Sequence, residues 1–344
     1  MPEHEFLCVN GFLGTEMDAR AIKSAMELGV LDYLEARDEI PIPTLGASLR
    51  VNAVGLSLLL EMLEANGVVS RRVDSVALTT RFRAALRFRD LLETRIAFAD
   101  LVWPDIHTLF TALITDLPQF MARSKVFDLF RYDRCMEVTP ENLQAASGWA
   151  RFTTALTKYE SAPALDLLDL ASTKTFIDMG GNTGEFARQI CNRNPEIKGV
   201  VVDLPVVCAL GREHIDRSAS LSDATRVSFF PTDMRTGILP PAADLVSFKS
   251  VLHDWPDADA ELLMDRAASL VRPGGRFVIF ERAPIAMRGK RVPYAMAADL
   301  VFLHFLRPAA LYLRKLERLG FVLLDHRVIE LDIGFHFILA QRPR

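Results

Sequence analysis

Thr173-Lys174-Thr175-Phe176-Ile177-Asp178-Met179-Gly180-Gly181-Asn182-Thr183-Gly184-Glu185-Phe186-Ala187 is the stretch whose reading decides the fold. Phe176 and Ile177 run into Asp178, three glycines fall within five residues, and Phe186, Ala187 and Ile190 then recur at helical spacing. That is a buried strand, a tight loop and a helix start. Glycine in such a loop allows positive φ and lets a ligand reach main-chain N–H groups with no Cβ in the way. The next apolar run, Val200-Val201-Val202, ends on Asp203, 23 residues after Gly180. A carboxylate in that place can accept hydrogen bonds from both ribose hydroxyls. The Gly-Gly-x-x-Gly spacing differs from the Gly-x-Gly-x-x-Gly of dinucleotide sites and lacks the Gly-Lys-Ser/Thr ending of a P-loop. It points to a nucleoside ligand without a pyrophosphate, of which S-adenosylmethionine is the commonest.

From Lys174 onward, apolar runs alternate with helical patterns, as in a doubly wound α/β sheet. Strands are expected at 174–179, 199–203, 227–231, 243–250 and 276–281, and helices begin near Glu185, Val206 and Asp257. Two late runs, Phe321–Leu324 and Phe335–Ala340, should close the sheet as an antiparallel pair. Ligands of open α/β sheets sit at the carboxyl ends of the strands. Those ends carry Asp178 with its glycines, Asp203, Asp233-Met234, Lys249 to His253, and Glu281. Asp233 is placed to accept the adenine amino group with Met234 packed on the ring, or else is an exposed turn residue. His253 has a side chain suited to taking a proton near neutral pH, and Glu281 can hold its far ring nitrogen and fix the tautomer.

Length and composition bound the rest. A chain of 344 residues suggests about two domains. Half the residues are hydrophobic, enough for a large core, and the net charge of −4 offers no general attraction for nucleic acid. Cys8, Cys135, Cys191 and Cys208 lack Cys-x-x-Cys spacing, so reduced thiols are expected rather than disulfides or zinc. The start, Met1-Pro2-Glu3-His4-Glu5, has no basic leader pattern, and no apolar run reaches a membrane span. A cytoplasmic protein without membrane association is the expectation.

Residues 1–100 read as short helices followed by a hairpin. Ala21, Ile22, Ala25, Met26 and Leu28 form an apolar stripe, and Gly29 ends or bends that helix. Thr44 should cap a short helix, Leu56 to Leu63 is a second one, and Gly67 is its C-cap after Asn66. Val68–Ser70 then pairs with Val76–Thr79. Helix, turn, helix and hairpin make a winged-helix pattern. A recognition helix must meet phosphates with positive charge. This one carries Glu61 and Glu64, with no Lys or Arg between Val51 and Val69. DNA binding is therefore disfavoured, and the apolar helix reads as core or subunit interface. Residues 101–165 are helical and rich in aromatic and aliphatic side chains, a segment expected to cover the active site. The catalytic domain is expected to span 166–344.

In order, Asp178-Met179-Gly180-Gly181-Asn182-Thr183-Gly184, Asp203-Leu204-Pro205-Val206, Asp233-Met234, Lys249-x-x-x-His253-Asp254-Trp255, Arg272-Pro273-Gly274-Gly275-Arg276 and Glu281 resemble the class I S-adenosylmethionine-dependent O-methyltransferases. The likeness is to the caffeic-acid and hydroxyindole type, and in style to bacterial members that tailor natural products. It implies a Rossmann-like seven-stranded sheet and a winged-helix dimerisation domain at 1–100. It also implies S-adenosylmethionine as cofactor, a small-molecule acceptor and a homodimer. Cofactor contacts are then expected from Asp178, Gly180, Gly181, Asp203, Leu204, Asp233, Met234 and Lys249. His253 is expected as general base with Glu281 beside it. Trp103, Phe152, Leu156, Asp254, His304 and Arg307 are the candidates for the acceptor pocket. No metal is expected, although His253-Asp254 with His304 leaves a minor metal reading.

Two departures stand out. The family's third glycine is Asn182, which tolerates left-handed φ. The family's second glutamate, which flanks the base, is Leu306 here. Either Glu281 suffices, or the acceptor needs less help, or the reaction is C- or N-methylation or no methyl transfer at all. A regulator that senses a nucleoside ligand through a winged helix is the reading from another class.

Overall fold

The structure, a computed structural model, describes residues 4–218, 225–287, 289 and 292–344; the first three residues, part of the leader reading, lie outside them. It divides into two compact units, Met1–Pro104 with Met287–Leu300, and Asp105–Ala286 with Val301–Arg344.

The first unit holds α1 (Glu16–Glu27), α2 (Val30–Glu35), β1 (Ile40–Pro41), α3 (Ile42–Leu49), α4 (Ala53–Ala65), β2 (Val69–Arg71), β3 (Ser75–Leu78) and α5 (Thr80–Ala85), and α6 (Arg89–Thr115) begins in it. The expected hairpin is β2–β3, and β1 joins it to give the order β1-β3-β2. Gly29 separates α1 from α2 with φ of 74°, and Gly67 follows the α4 C-cap Asn66 with φ of 71°. Thr44 is not a cap. Pro41 precedes α3 and Pro43 sits in its first turn, so the helix starts where proline fixes φ and its missing N–H costs nothing.

The second unit continues with α7 (Leu117–Arg123) and α8 (Pro140–Leu165), then β4 (Thr175–Met179), α9 (Glu185–Arg193), β5 (Lys198–Asp203), α10 (Pro205–Ser218), β6 (Val227–Pro231), β7 (Ala243–Lys249), α11 (Asp257–Ser269), β8 (Val271–Arg282), α13 (Ala309–Arg318), β9 (Val322–Glu330) and β10 (Gly334–Gln341). The short α12 (Tyr294–Ala297) belongs to the first unit. The sheet has seven strands in the order β6-β5-β4-β7-β8-β10-β9. β4 to β8 are parallel, and β10 runs antiparallel to both β8 and β9. Central parallel strands are buried on both faces and so read as continuous apolar runs. β7 fits that rule, with Leu245, Val246 and Phe248 all at 0% exposure. One face packs on α11 and α13 through Leu263, Met264, Phe277, Ile279 and Tyr312.

Two strands are longer than expected. β8 starts at Val271 rather than at 276, and β9 continues through Asp325-His326-Arg327 to Glu330. β9 is an edge strand whose residues are mostly exposed, so no apolar run marks its second half. Among the described residues, no single helix is long and apolar enough to cross a membrane.

Candidate active site

The sequence order of the strands places a topological switch between β4 and β7. Parallel β5 and β6 extend the sheet one way from β4, and β7 and β8 the other. The glycine loop opens at that point. Gly180 has φ of 68°, and a Cβ on it would lie 2.9 Å from both methyls of Val251. Any side chain there would collide with Val251 and displace the loop that carries it. Asn182, in place of the third glycine, takes φ of 52°. Its side-chain amide donates to the Thr153 hydroxyl of α8, and Thr154 bonds Thr183 beside it. The loop is thereby stitched to α8.

Asp203 lies across the loop. Its two oxygens accept from the backbone N–H groups of Asn182 and Leu204, each at 2.8 Å. Its surface is only half-buried, yet protein crowds the carboxyl; burial pushes it up to about 6 against those two hydrogen bonds. Asp178 is 1% exposed. One oxygen accepts from Ser247 Oγ at 2.7 Å and the other has no protein partner. Burial pushes Asp178 up to about 7. An oriented carboxylate and an orphaned buried oxygen beside a glycine loop suit a polar, cationic nucleoside such as S-adenosylmethionine. Met234, whose methyl would be 3.5 Å from a Cβ on Gly180, borders the same space.

At the end of β7, Ser250 takes φ of 54° and turns the chain into the loop that carries His253. His253 Nδ1 lies 2.6 Å from Glu281 Oε1 at the end of β8. Glu281 is fully buried. Its carboxylate also accepts from the N–H groups of Val251 (3.0 Å), Leu252 (2.8 Å) and Arg282 (2.9 Å). Burial alone would raise its pKa, but the adjacent His253 and these donors hold it below the usual carboxylate value. Burial likewise disfavours the His253 cation, and the charges of Glu281 and Asp254 outweigh it and raise the pKa. An ionised Glu281 can only accept, so Nδ1 carries the proton and Nε2 keeps the lone pair.

Arg307, expected in the acceptor pocket, holds this loop from behind. Its guanidinium donates to the carbonyls of Leu252, at 2.7 Å, and Trp255, and pairs with Asp257 at 2.5 Å. It is a clamp on the backbone either side of His253, not a group presented to an acceptor. The ring of Phe302 stands edge-on to His253 at 6.3 Å, and Phe130 links Phe302 to Trp149. Aromatic surface therefore faces the base.

The other expected residues divide. Asp254 faces His253 Nε2 at 3.3 Å. Phe152 and Leu156 are half-buried on α8, in the stretch that also carries Thr153. Asp233 is taken by its neighbour: Arg235 donates to it at 2.8 and 3.1 Å, which holds the carboxyl below its ordinary value. Lys249 donates to Glu160 of α8 at 2.6 Å and to Thr157 at 3.1 Å. Arg282 meets the other oxygen of Glu160 at 3.0 Å. The Lys249 ammonium is thus committed to α8. His304 is exposed and bonded to the Leu113 carbonyl at 2.7 Å. Trp103 belongs to the first unit, stacked on Tyr294. Leu306 is buried and apolar, as its identity requires. Sequence reasoning missed Tyr132, Asn182's bond to Thr153, and Arg235, whose guanidinium lies 4.4 Å above the Trp255 ring.

A family model described as "O-methyltransferase domain" matches residues 135–307, half of the chain. Among curated relatives, demethylspheroidene O-methyltransferase of Rhodobacter capsulatus is 33% identical over 40% of this chain and 32% of its own length. Acetylserotonin O-methyltransferase of Mus musculus is 36% identical over 52% of this chain and 44% of its own length. The chain thus spans about a third to under half of these relatives. Human N-acetylserotonin methyltransferase, solved in complex with SAM, shares the fold with a TM-score of 0.70 at 19% identity, covering 95% of this chain and 94% of that one. The family model matches half of the chain, over a range that holds the glycine loop, β4 to β8 and the His–Glu pair, and the chain belongs to the S-adenosylmethionine-dependent O-methyltransferase family.

Proposed function

We propose that the protein transfers a methyl group from S-adenosylmethionine to a phenolic or enolic hydroxyl of a small aromatic metabolite, with His253 as general base. The observation that carries this reading is the 2.6 Å His253–Glu281 contact at the carboxyl end of the sheet. It leaves Nε2 free of Glu281 to take the acceptor's proton. Asp203 and the main chain of the 178–184 loop would hold the cofactor, with Asp178 beneath and Met234 alongside. When bound, S-adenosylmethionine supplies an electrophilic methyl on a sulfonium. Glu281 fixes the imidazole and stabilises its cation, Arg307 fixes the loop, and the aromatic surface of Phe130, Trp149 and Phe302 suits a flat acceptor and excludes water. Positioning and desolvation then provide most of the acceleration.

The first unit reads as a winged-helix-like dimerisation module, because Val54 and Leu58 on α4 are 82% and 60% exposed in the single chain. Four free cysteines suit a reducing cytoplasm. Leu306 favours one second reading, C- or N-methylation of an acceptor that needs less base assistance.

The test is mass-resolved screening of purified protein with S-adenosylmethionine against phenol, quinone, keto-acid and amine panels, with His253→Ala alongside. A phenol methylated by the wild type and no longer methylated by His253→Ala supports the reading. Full turnover by His253→Ala with the same acceptor defeats base catalysis at this position.

A further inference from the structure

The imidazole of His253 has a carboxylate at each nitrogen. Glu281 takes Nδ1 at 2.6 Å, and Asp254 Oδ1 lies 3.3 Å from Nε2. The second oxygen of Asp254 is also engaged, since the Tyr132 hydroxyl donates to Oδ2 at 2.8 Å. Tyr132 comes from a 3-10 turn, Tyr132–Cys135, far from Asp254 in the chain. Its ring is gripped on two sides. It stacks on Trp255 with centroids 5.6 Å apart and meets Trp149 edge-on at 6.0 Å. Glu281, His253, Asp254 and Tyr132 form one continuous line of polar contacts through the site.

We propose that Asp254, oriented by Tyr132, is the second carboxylate of this base and performs the electrostatic work for which Leu306 has no group. With Nδ1–H given to Glu281, neutral His253 presents a lone pair at Nε2. A carboxylate 3.3 Å from a lone pair stabilises nothing in that state. Once Nε2 holds the acceptor's proton, the same carboxylate faces an N–H of an imidazolium and the contact becomes attractive. The interaction is therefore stronger after proton transfer than before it, which is the condition for lowering a barrier rather than tightening ground-state binding. Tyr132 gives the arrangement its direction. By occupying Oδ2 it keeps Oδ1 turned to the imidazole, and its own ring is fixed by two tryptophans. Asp254 and Tyr132 act through His253 and are positioning residues.

Among the described residues, several elements bring charged or aromatic groups to the imidazole. β8 supplies Glu281 and the opposing cation Arg282; the loop itself supplies Asp254; the 3-10 turn supplies Tyr132. Phe302 contributes an apolar ring edge, and Arg307 and Asp257 lie behind the loop, with Arg307 bonded to the Leu252 carbonyl. Among the described residues Asp254 is the acidic group at Nε2; burial raises its own pKa, and the His253 charge and the Tyr132 hydrogen bond act against that.

The proposal rests on the base reading of His253, so its test needs no acceptor. Full-length protein labelled at its seven histidines is titrated by NMR, with His253→Ala used to assign the His253 resonance. Wild type should titrate above the ordinary histidine value. Asp254→Asn should move the midpoint down by about one unit or more, the size expected for removing an adjacent opposite charge. Tyr132→Phe, which keeps the ring stack, should move it the same way by less, as Asp254 is freed to turn from Nε2. The other histidine resonances report that each variant is folded. An unmoved midpoint in Asp254→Asn overturns the proposal, and so does a fall in Tyr132→Phe as large as that in Asp254→Asn. Turnover retained by His253→Ala would defeat the base reading while leaving this titration result intact, so the two fail separately.

Discussion

Arg307 donates a hydrogen bond to the carbonyl of Leu252 at 2.7 Å, one residue before the proposed base. The same guanidinium reaches the Trp255 carbonyl and Asp257, so one side chain determines the path of residues 252–257. Arg307→Met should remove the guanidinium's bonds to the Leu252 and Trp255 carbonyls and to Asp257, leaving Leu252 only the 3.4 Å bond from the Trp255 N–H, and cost roughly 1–3 kcal/mol of stability. Denaturant unfolding would measure this. Arg307→Lys should recover little, because an ammonium cannot reproduce a planar fork that meets three acceptors. Stability of Arg307→Lys equal to wild type would show that the loop holds itself.

Cofactor affinity should depend on pH through Asp203. Burial holds this carboxyl at about 6, above the ordinary value. A raised carboxyl adds stability while protonated. That contribution is full below the ordinary carboxylate range and is lost as pH rises through about 6. The ionised form accepts from both ribose hydroxyls and more strongly than a protonated carboxyl, so S-adenosylmethionine should bind more tightly as pH rises from about 5 to 7, and Asp178, at about 7, extends the trend. Asp203→Ala should lose roughly 1–3 kcal/mol of binding and flatten the dependence on Asp203. Calorimetry across that range decides it; equal affinity at both ends removes Asp203 from the cofactor contacts.

Turnover should fall on the acid side at a pH above the ordinary histidine value, because Glu281 and Asp254 raise the His253 pKa against the effect of burial. Only neutral imidazole accepts the proton. His253→Ala should cut turnover by about 10²–10⁴-fold with cofactor affinity intact. Glu281→Gln should cost less and move the acid limb to lower pH. The corresponding stability term has the opposite sense: it is present below the ordinary histidine value and lost as pH rises through the raised one.

Light scattering should give twice the 38.5 kDa of one chain at micromolar concentration. Leu58→Asp on α4, at a side chain 60% exposed in the single chain, should lower that mass if α4 lies in the interface. A wild-type protein of monomer mass would contradict the dimer.

Much of this molecule was legible because its strands are buried and end in acids. Phe176-Ile177-Asp178 and Val200–Asp203 announce both the sheet and the rim in a few residues, and Glu281 near the end of β8 follows the same rule, with His253 in the turn after β7. The second half of β9 was not legible, since Asp325-His326-Arg327 faces solvent at the sheet edge and needs no apolar alternation. Arg307 was expected in the acceptor pocket rather than behind the loop, and Tyr132 was missed, for a different reason. Their hydrogen bonds span 55 and 122 residues, and no local pattern records such a pairing. Lys249 was legible in place but not in partner, because Glu160 lies on a helix with no motif of its own.

Glu160 answers two cations at once, Lys249 from β7 and Arg282 from β8, and is 1% exposed. Removing Glu160 takes the shared carboxylate from both Lys249 and Arg282, at a cost of roughly 3–5 kcal/mol, whereas removing either cation leaves Glu160 paired with the other. Glu160 therefore cannot drift alone, and the fates of the three residues are linked through it. Across descendants of this chain they should be exchanged as a block, for example for an apolar trio of matching volume. A graft of α8 from a relative should fail unless residues 249 and 282 travel with it. The ancestry of the helix that borders the cofactor loop is thus tied to the ends of two strands.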